Sequence, residues 1–318
     1  MMPTALAAPS GSAAAGLLAL ALAAGCASQP MPPAAPPGGG APTADEVANI
    51  AYRGIEEAGG PVTLRAGSWE GAPFVEGGAS RPSVGLVPGV LLTGDLDGDG
   101  DEEAVVLLSS SSGGSGTRSS IAIVDRRPGG AENVATRLLG DRVQVRSMAI
   151  VSAVLSIDVV RAGPTDPACC PGELATYTWT LGPDGLGDRQ PPAVTGRLST
   201  AMLDGTEWVL RRFAFDEEAP GSPAVTLSFS GGQLRGKAGC NGYFTALADL
   251  PDAGAGALRL GPVGATQMMC PGEEMAVEDR YLRQLGSVSG FGFVNGRLML
   301  SYPDGVMLFD RVASSQVR

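Results

Sequence analysis

The chain contains no histidine. That absence removes the commonest general base, the Ser-His-Asp and Cys-His arrangements, and nearly every catalytic zinc site. Lysine is almost as scarce: Lys237 stands alone, and the arginines are scattered. With no basic stripe to neutralise a phosphate backbone, nucleic acid is excluded as an expected partner. Aromatic residues make up only 5% of the chain and charged residues 17%. The formal net charge of −11 favours solubility and cation binding over adhesion to anionic surfaces. The longest apolar run, residues 11–25, falls short of the roughly 20 residues that a membrane-spanning helix needs.

Among what is present, 47 glycines and 25 prolines favour short strands joined by many turns. A 44% hydrophobic content over 318 residues suffices for about two domains, of all-β or α+β class. Residues 1–25 have the form of a signal peptide, with an apolar stretch ending in small residues, although the first ten residues hold no Lys or Arg. The segment Leu22-Ala23-Ala24-Gly25-Cys26 resembles a bacterial lipobox. That resemblance implies diacylglycerol on Cys26, cleavage before it, and a membrane as partner through the anchor. Ala27 after the cysteine implies the outer membrane, facing the periplasm. An ordinary A-x-A cleavage that releases a soluble periplasmic protein is the alternative. Residues 26–43 form a Pro/Gly/Ala tether with too few large apolar side chains to pack.

Once Cys26 is set aside, Cys169, Cys170, Cys240 and Cys270 remain. In an oxidising compartment four cysteines imply disulfides, with three connectivities open. Cys240 with Cys270 is the favoured pair, since both fall in loops flanking strands of the C-terminal region. That choice leaves Cys169 and Cys170 as a vicinal ring or as two free thiols. Zinc held by all four is the rival reading, with adjacent ligands a poor geometry for it.

Residues 44–190 are expected to form a β-rich N-terminal domain. Val47, Ile50, Ala51 and Ile55 predict one amphipathic helix over 44–57, with Thr43 and Asp45 as cap candidates. The β-branched runs that follow predict a sheet of six to eight mostly antiparallel strands. Within them, Gly94-Asp95-Leu96-Asp97-Gly98-Asp99-Gly100-Asp101-Glu102-Glu103 places carboxylates at Asp95, Asp97 and Asp99 and a glycine at Gly100, as in the first half of a calcium loop. Position 12 is Val106, so the bidentate glutamate of an EF-hand is missing. The loop instead resembles the shorter integrin-type and dockerin-like form, in which Glu103 closes the shell. Asp101 completes the candidate Ca²⁺ ligands, and the other reading is an acidic turn chosen for turn chemistry alone.

The region 203–313 carries a series of separated motifs. They are Gly205-Thr206-Glu207-Trp208-Val209-Leu210, Gly236-Lys237-Ala238-Gly239-Cys240-Asn241-Gly242, Ala265-Thr266-Gln267-Met268-Met269-Cys270, and a terminal RLMLSYPDG and VMLFDR. Their order and spacing resemble the META-domain (HslJ-like) family. The resemblance implies a curved antiparallel sheet closed by one helix, an envelope or stress-related role, and, through lipid-binding pilotins, an apolar groove. The motifs GDLDGDG, GGSG, LGDR and DPxCCP are similar to the domain that often precedes META in proteobacterial lipoproteins. The expected fold is therefore α+β, mostly antiparallel, in two domains. Met275, Val277, Tyr281, Leu282 and Leu285 are placed to lie over the sheet.

Three functions are compatible with these residues. The first is a non-catalytic envelope lipoprotein that supports integrity or stress resistance through protein contacts. The second is a binder of an acyl chain or other apolar ligand. The third is a hydrolase using carboxylates such as Asp95 and Asp101, weakened by the missing histidine. No catalytic residue and no cofactor beyond Ca²⁺ is assigned.

Overall fold

The computed structural model describes residues 40–312, apart from 168, 249 and 251–253. Cys26, the apolar run before it and most of the tether lie outside the described residues.

The strands Glu103–Ser111 and Arg118–Arg127 contain the unbroken apolar runs 104–108 and 121–124 rather than an alternating pattern. Such strands need cover on both faces. They form the centre of a five-stranded antiparallel sheet, between Ser83–Gly94 and Gly130–Asp141, with Ser68–Glu70 at one edge. On one face, Val105, Leu107, Ile121 and Ile123 pack against Leu155, Ile157, Ala175 and Trp179. These four belong to a second antiparallel sheet, which comprises Gln144–Val151, Val154–Arg161, Glu173–Gly182, Gly185–Asp188 and Ala193–Arg197. The expected single sheet is thus two stacked sheets. The division falls after Asp141, where Arg142 takes a left-handed φ of 50° and the chain turns out of the first sheet.

On its other face the first sheet presents Ala104, Val106 and Leu108 to Val47, Tyr52, Ile55 and Leu64. Of the residues predicted to form one helix over 44–57, Val47 and Ile55 do bury, Ile50 is partly buried and Ala51 is exposed, and they do not form one helix. Only Ala44–Val47 is α-helical, capped by Thr43 and Glu46 in a reciprocal box, with a single 3-10 turn at Glu56–Ala58. The chain then extends, because Ala51 and Tyr52 pair with Thr63 and Val62 and Gly54 takes a φ of 75°. Tyr52 hydrogen-bonds the Val47 carbonyl through its hydroxyl at 2.7 Å, which fixes the bend. Tertiary pairing has overridden a helical spacing that a short segment could not sustain alone.

The C-terminal region is a second antiparallel system. In spatial order it runs Arg259–Leu260, Gly242–Ala248, Gln233–Lys237, Thr226–Ser230, Glu207–Arg212, Gly305–Arg311, Arg297–Tyr302 and Gly290–Val294. The two ends of this order come together: Ala257 bridges Gly290, and the Phe291 N–H donates to the Gly256 carbonyl at 2.7 Å. The sheet is therefore curled almost into a barrel. Its concave side is filled by Trp208, Phe229, Phe291 and Phe309, and by Tyr281 and Leu285 from the helix Gly272–Leu285. Val277 and Leu282 pack at the margin, and Met275 is partly buried without joining that core.

Val160 and Leu174 of the second sheet belong to the same apolar cluster as this C-terminal core. The Phe293 N–H donates to Gln144 Oε1 at 2.8 Å, and the Gly296 N–H to the Val145 carbonyl at 2.9 Å. The described residues accordingly group as one compact unit.

Candidate functional site

Two places concentrate polar groups. The first is the turn Gly239–Gly242. Gly239 has a φ of 125°, and a Cβ there would lie 3.2 Å from the Glu274 carbonyl oxygen of the helix, so a glycine is required by both conformation and space. Asn241 is buried and fully bonded. Its backbone N–H donates to Glu278 Oε2 at 2.6 Å, and its side-chain amide donates to Glu278 Oε1 at 2.9 Å and to the Met268 carbonyl at 3.1 Å. Its Oδ1 accepts from the Met268 N–H at 2.7 Å and the Thr266 hydroxyl at 2.8 Å. Cys240 is disulfide-bonded to Cys270 in the same place. The turn thus ties helix, strand and the 264–270 segment together by hydrogen bonds and one covalent link.

Glu278 was not legible as part of this constellation. A signal existed, since Glu278, Tyr281 and Leu285 follow the i, i+3, i+7 spacing of the buried stripe. A carboxylate within that stripe needs buried donors, and the Gly239–Gly242 turn supplies them through Asn241. Tyr281 and Tyr243 share a hydroxyl-to-hydroxyl bond of 2.6 Å, and burial pushes both phenols well above their ordinary range. These are core groups, as are Trp208 and Phe229. The turn holds no free thiol to act as a nucleophile.

Three large apolar side chains near this fixed turn are exposed. Met269 is 96% exposed, Met268 56% and Phe244 61%. They lie along one pair of antiparallel segments, because Phe244 is opposite Gly264, Tyr243 opposite Ala265, and the Thr266 N–H bonds the Gly242 carbonyl. A shallow groove of about 630 Å³ on the outer sheet face, lined by Arg235, Gly236, Phe244 and Thr266, adjoins them.

The second place is the acidic loop. Asp95, Asp97 and Asp99 each bring a carboxylate oxygen within 4.8 Å of the others. The loop is wound by side-chain acceptance: Asp95 from the Gly98 N–H at 2.6 Å, Asp97 from Asp99 at 3.1 Å, and Asp99 from Asp101 at 2.9 Å. Asp101 contributes its N–H to this winding, and neither its carboxylate nor that of Glu103 is within the three-carboxylate group. Glu103 is fully buried, and its Oε2 accepts from the Leu96 N–H at 2.7 Å. Burial, with the charges of Asp97, Asp125 and Asp99, pushes its carboxyl up to about 7.

Cys169 and Cys170 form a vicinal disulfide on an exposed loop. Asp166 anchors that loop through Arg197 and the N–H groups of Gly163 and Gly172. The Arg197 guanidinium holds the Asp166 carboxyl well below the usual range. These four cysteines are thus engaged in two disulfide pairs.

Comparison with known proteins places these features. The family model described as META domain matches residues 201–314. A solved structure described as the NMR structure of the protein from Burkholderia xenovorans is 26% identical, over 40% of this chain and 98% of that one, with a TM-score of 0.30. No curated protein matches. Residues 201–314, with their curled sheet, single helix and disulfide-locked turn, are a META domain.

Proposed function

We propose that this chain is a non-catalytic lipoprotein of the cell envelope, anchored through Cys26, whose META domain supports envelope integrity or stress resistance by contacting another envelope protein. One observation carries the reading: the apolar strip of Phe244, Met268 and Met269 is exposed on a backbone that Asn241, Glu278 and the Cys240–Cys270 bond hold fixed. A rigid apolar strip loses little conformational freedom when a partner covers it. Methionine also adapts to an irregular partner surface.

The apolar-ligand reading is less favoured. A chamber on the concave side would need the space that Tyr281 and Leu285 occupy, both fully buried. Acid–base chemistry by Asp95 and Asp101 is also disfavoured, because Asp95 is grouped with Asp97 and Asp99 instead.

The strip is tested by placing a photoreactive side chain at Met269 in intact cells, with the exposed helix position Asp279 as reference. A defined adduct at Met269 that is absent at Asp279 and diminished by Phe244→Ser is expected. Identical adduct patterns at both positions, or none at either, would refute a contact surface here.

A further inference from the structure

We propose that the 95–103 loop is a calcium site in which Asp95, Asp97 and Asp99 face the cation and the buried Glu103 supplies the closing ligand. A cluster of acidic groups on a surface turn would not establish this, since solvated aspartates often group at turns. The deciding observation lies beneath the loop. Glu103 is fully buried, and the Leu96 N–H, between Asp95 and Asp97, holds one of its oxygens. The other oxygen, Oε1, is buried with no hydrogen-bond partner. Buried carboxylate oxygens are paired in folded proteins, and an unpaired one costs several times what a typical hydrogen bond contributes.

Among the described residues no salt bridge reaches Glu103. The neighbouring strand adds another carboxylate, since Ala104 pairs with Val124 and so sets Glu103 beside Asp125. Asp125 is itself buried and ion-paired to Arg127 at 2.8 Å. The three grouped loop carboxylates, Glu103 and Asp125 thus lie toward one end of the sandwich, with Arg127 ion-paired to Asp125. A divalent cation offsets this repulsion and gives Glu103 Oε1 its missing partner. Oxygen-only donors on an irregular loop suit calcium, which tolerates irregular coordination, better than magnesium, which demands near-ideal octahedral geometry.

The site is reachable. A cleft of about 430 Å³ runs from Asp97 and Asp99 to Leu181 and Gly185 of the second sheet. A cation bound at its edge would brace the ends of both sheets, so its effect is on stability rather than on catalysis. This proposal is independent of the META contact surface, which lies in a different core.

The test uses the full chain, stripped with EDTA and dialysed against radioactive calcium, with thermal unfolding followed in parallel. The expected result is one calcium per chain, saturating in the range of roughly 10⁻⁵ to 10⁻³ M, and a rise in unfolding midpoint that EDTA reverses. Asp97→Asn and Asp99→Asn should each weaken binding at least about tenfold, since each removes one charged ligand. Asp101→Asn should leave binding unchanged. Asp99 is exposed, so its variant keeps the test meaningful if Glu103→Gln fails to fold. Absence of saturable calcium up to about 5 mM in folded protein, well above the weakest extracellular sites, would overturn the proposal. An Asp101→Asn loss equal to that of Asp99→Asn would do the same, since binding would then follow net charge alone.

Discussion

Glu278→Ala is expected to lower stability by roughly 2–5 kcal/mol, the cost of leaving two buried donors of Asn241 without an acceptor. Both bonds to the carboxylate are short, at 2.6 and 2.9 Å, and no ion pair to Glu278 exists among the described residues to complicate its removal. The alanine also leaves a space beside Tyr281, which adds to the loss. For a unit of this size the unfolding midpoint should fall by roughly 5–15 °C. Glu278→Gln keeps the shape and one acceptor oxygen, so it should fall between the parent and Glu278→Ala. Thermal unfolding of the three proteins checks the order. Equal midpoints for Glu278→Ala and the parent would mean that the turn is held by other bonds.

Removing the Cys240–Cys270 link by double serine substitution should be of similar size. The two cysteines are 30 residues apart, and closing a loop of that length in the unfolded chain corresponds to about 3.5 kcal/mol. The disulfide and the Glu278–Asn241 bonds hold the same turn, so their effects should not add. Once one is absent the turn can relax, and the second loss should cost less than it does alone. A double-mutant cycle by denaturant unfolding measures this. Strict additivity would show that the two fastenings act independently.

Removal of either fastening also bears on the contact surface, because Met268 is bonded to Asn241 through both its N–H and its carbonyl. A loosened turn frees the backbone under Met268 and Met269 and raises the ordering cost of any contact made there.

Much of the C-terminal region was legible in the sequence. Trp208, Cys240, Asn241, Cys270 and the strand pairs near the end recur in a specific order, and a family-specific order is informative about topology in a way that periodicity alone is not. Two kinds of feature escaped. The helix expected over 44–57 rested on the spacing of four apolar residues, and that spacing serves equally well for a segment laid across a sheet. Only the pairing of Tyr52 with Val62, a long-range contact, decides between them.

The second kind is the buried carboxylate. Glu103 was assigned to the loop by its position in the motif, but nothing local announced that its second oxygen would be orphaned. That follows from cover on both faces of the Glu103–Ser111 strand. Asp125 was missed because strand pairing, not sequence distance, brings it beside the loop. Glu278 was missed because an acidic residue on a helix is ordinarily solvated. In each case the fold supplies partners, or withholds them, from segments far apart in the chain.

The claim on which the functional account rests is that the folded unit is held at a membrane. The direct measurement is the mass of the mature N-terminal peptide from cells, together with fractionation of a Cys26→Ser variant. The account predicts a peptide that begins at Cys26 and carries diacylglycerol, and a variant that leaves the membrane fraction. A peptide that begins at Ala27 without lipid, or a Cys26→Ser protein still in the membrane with lipid attached, would contradict it.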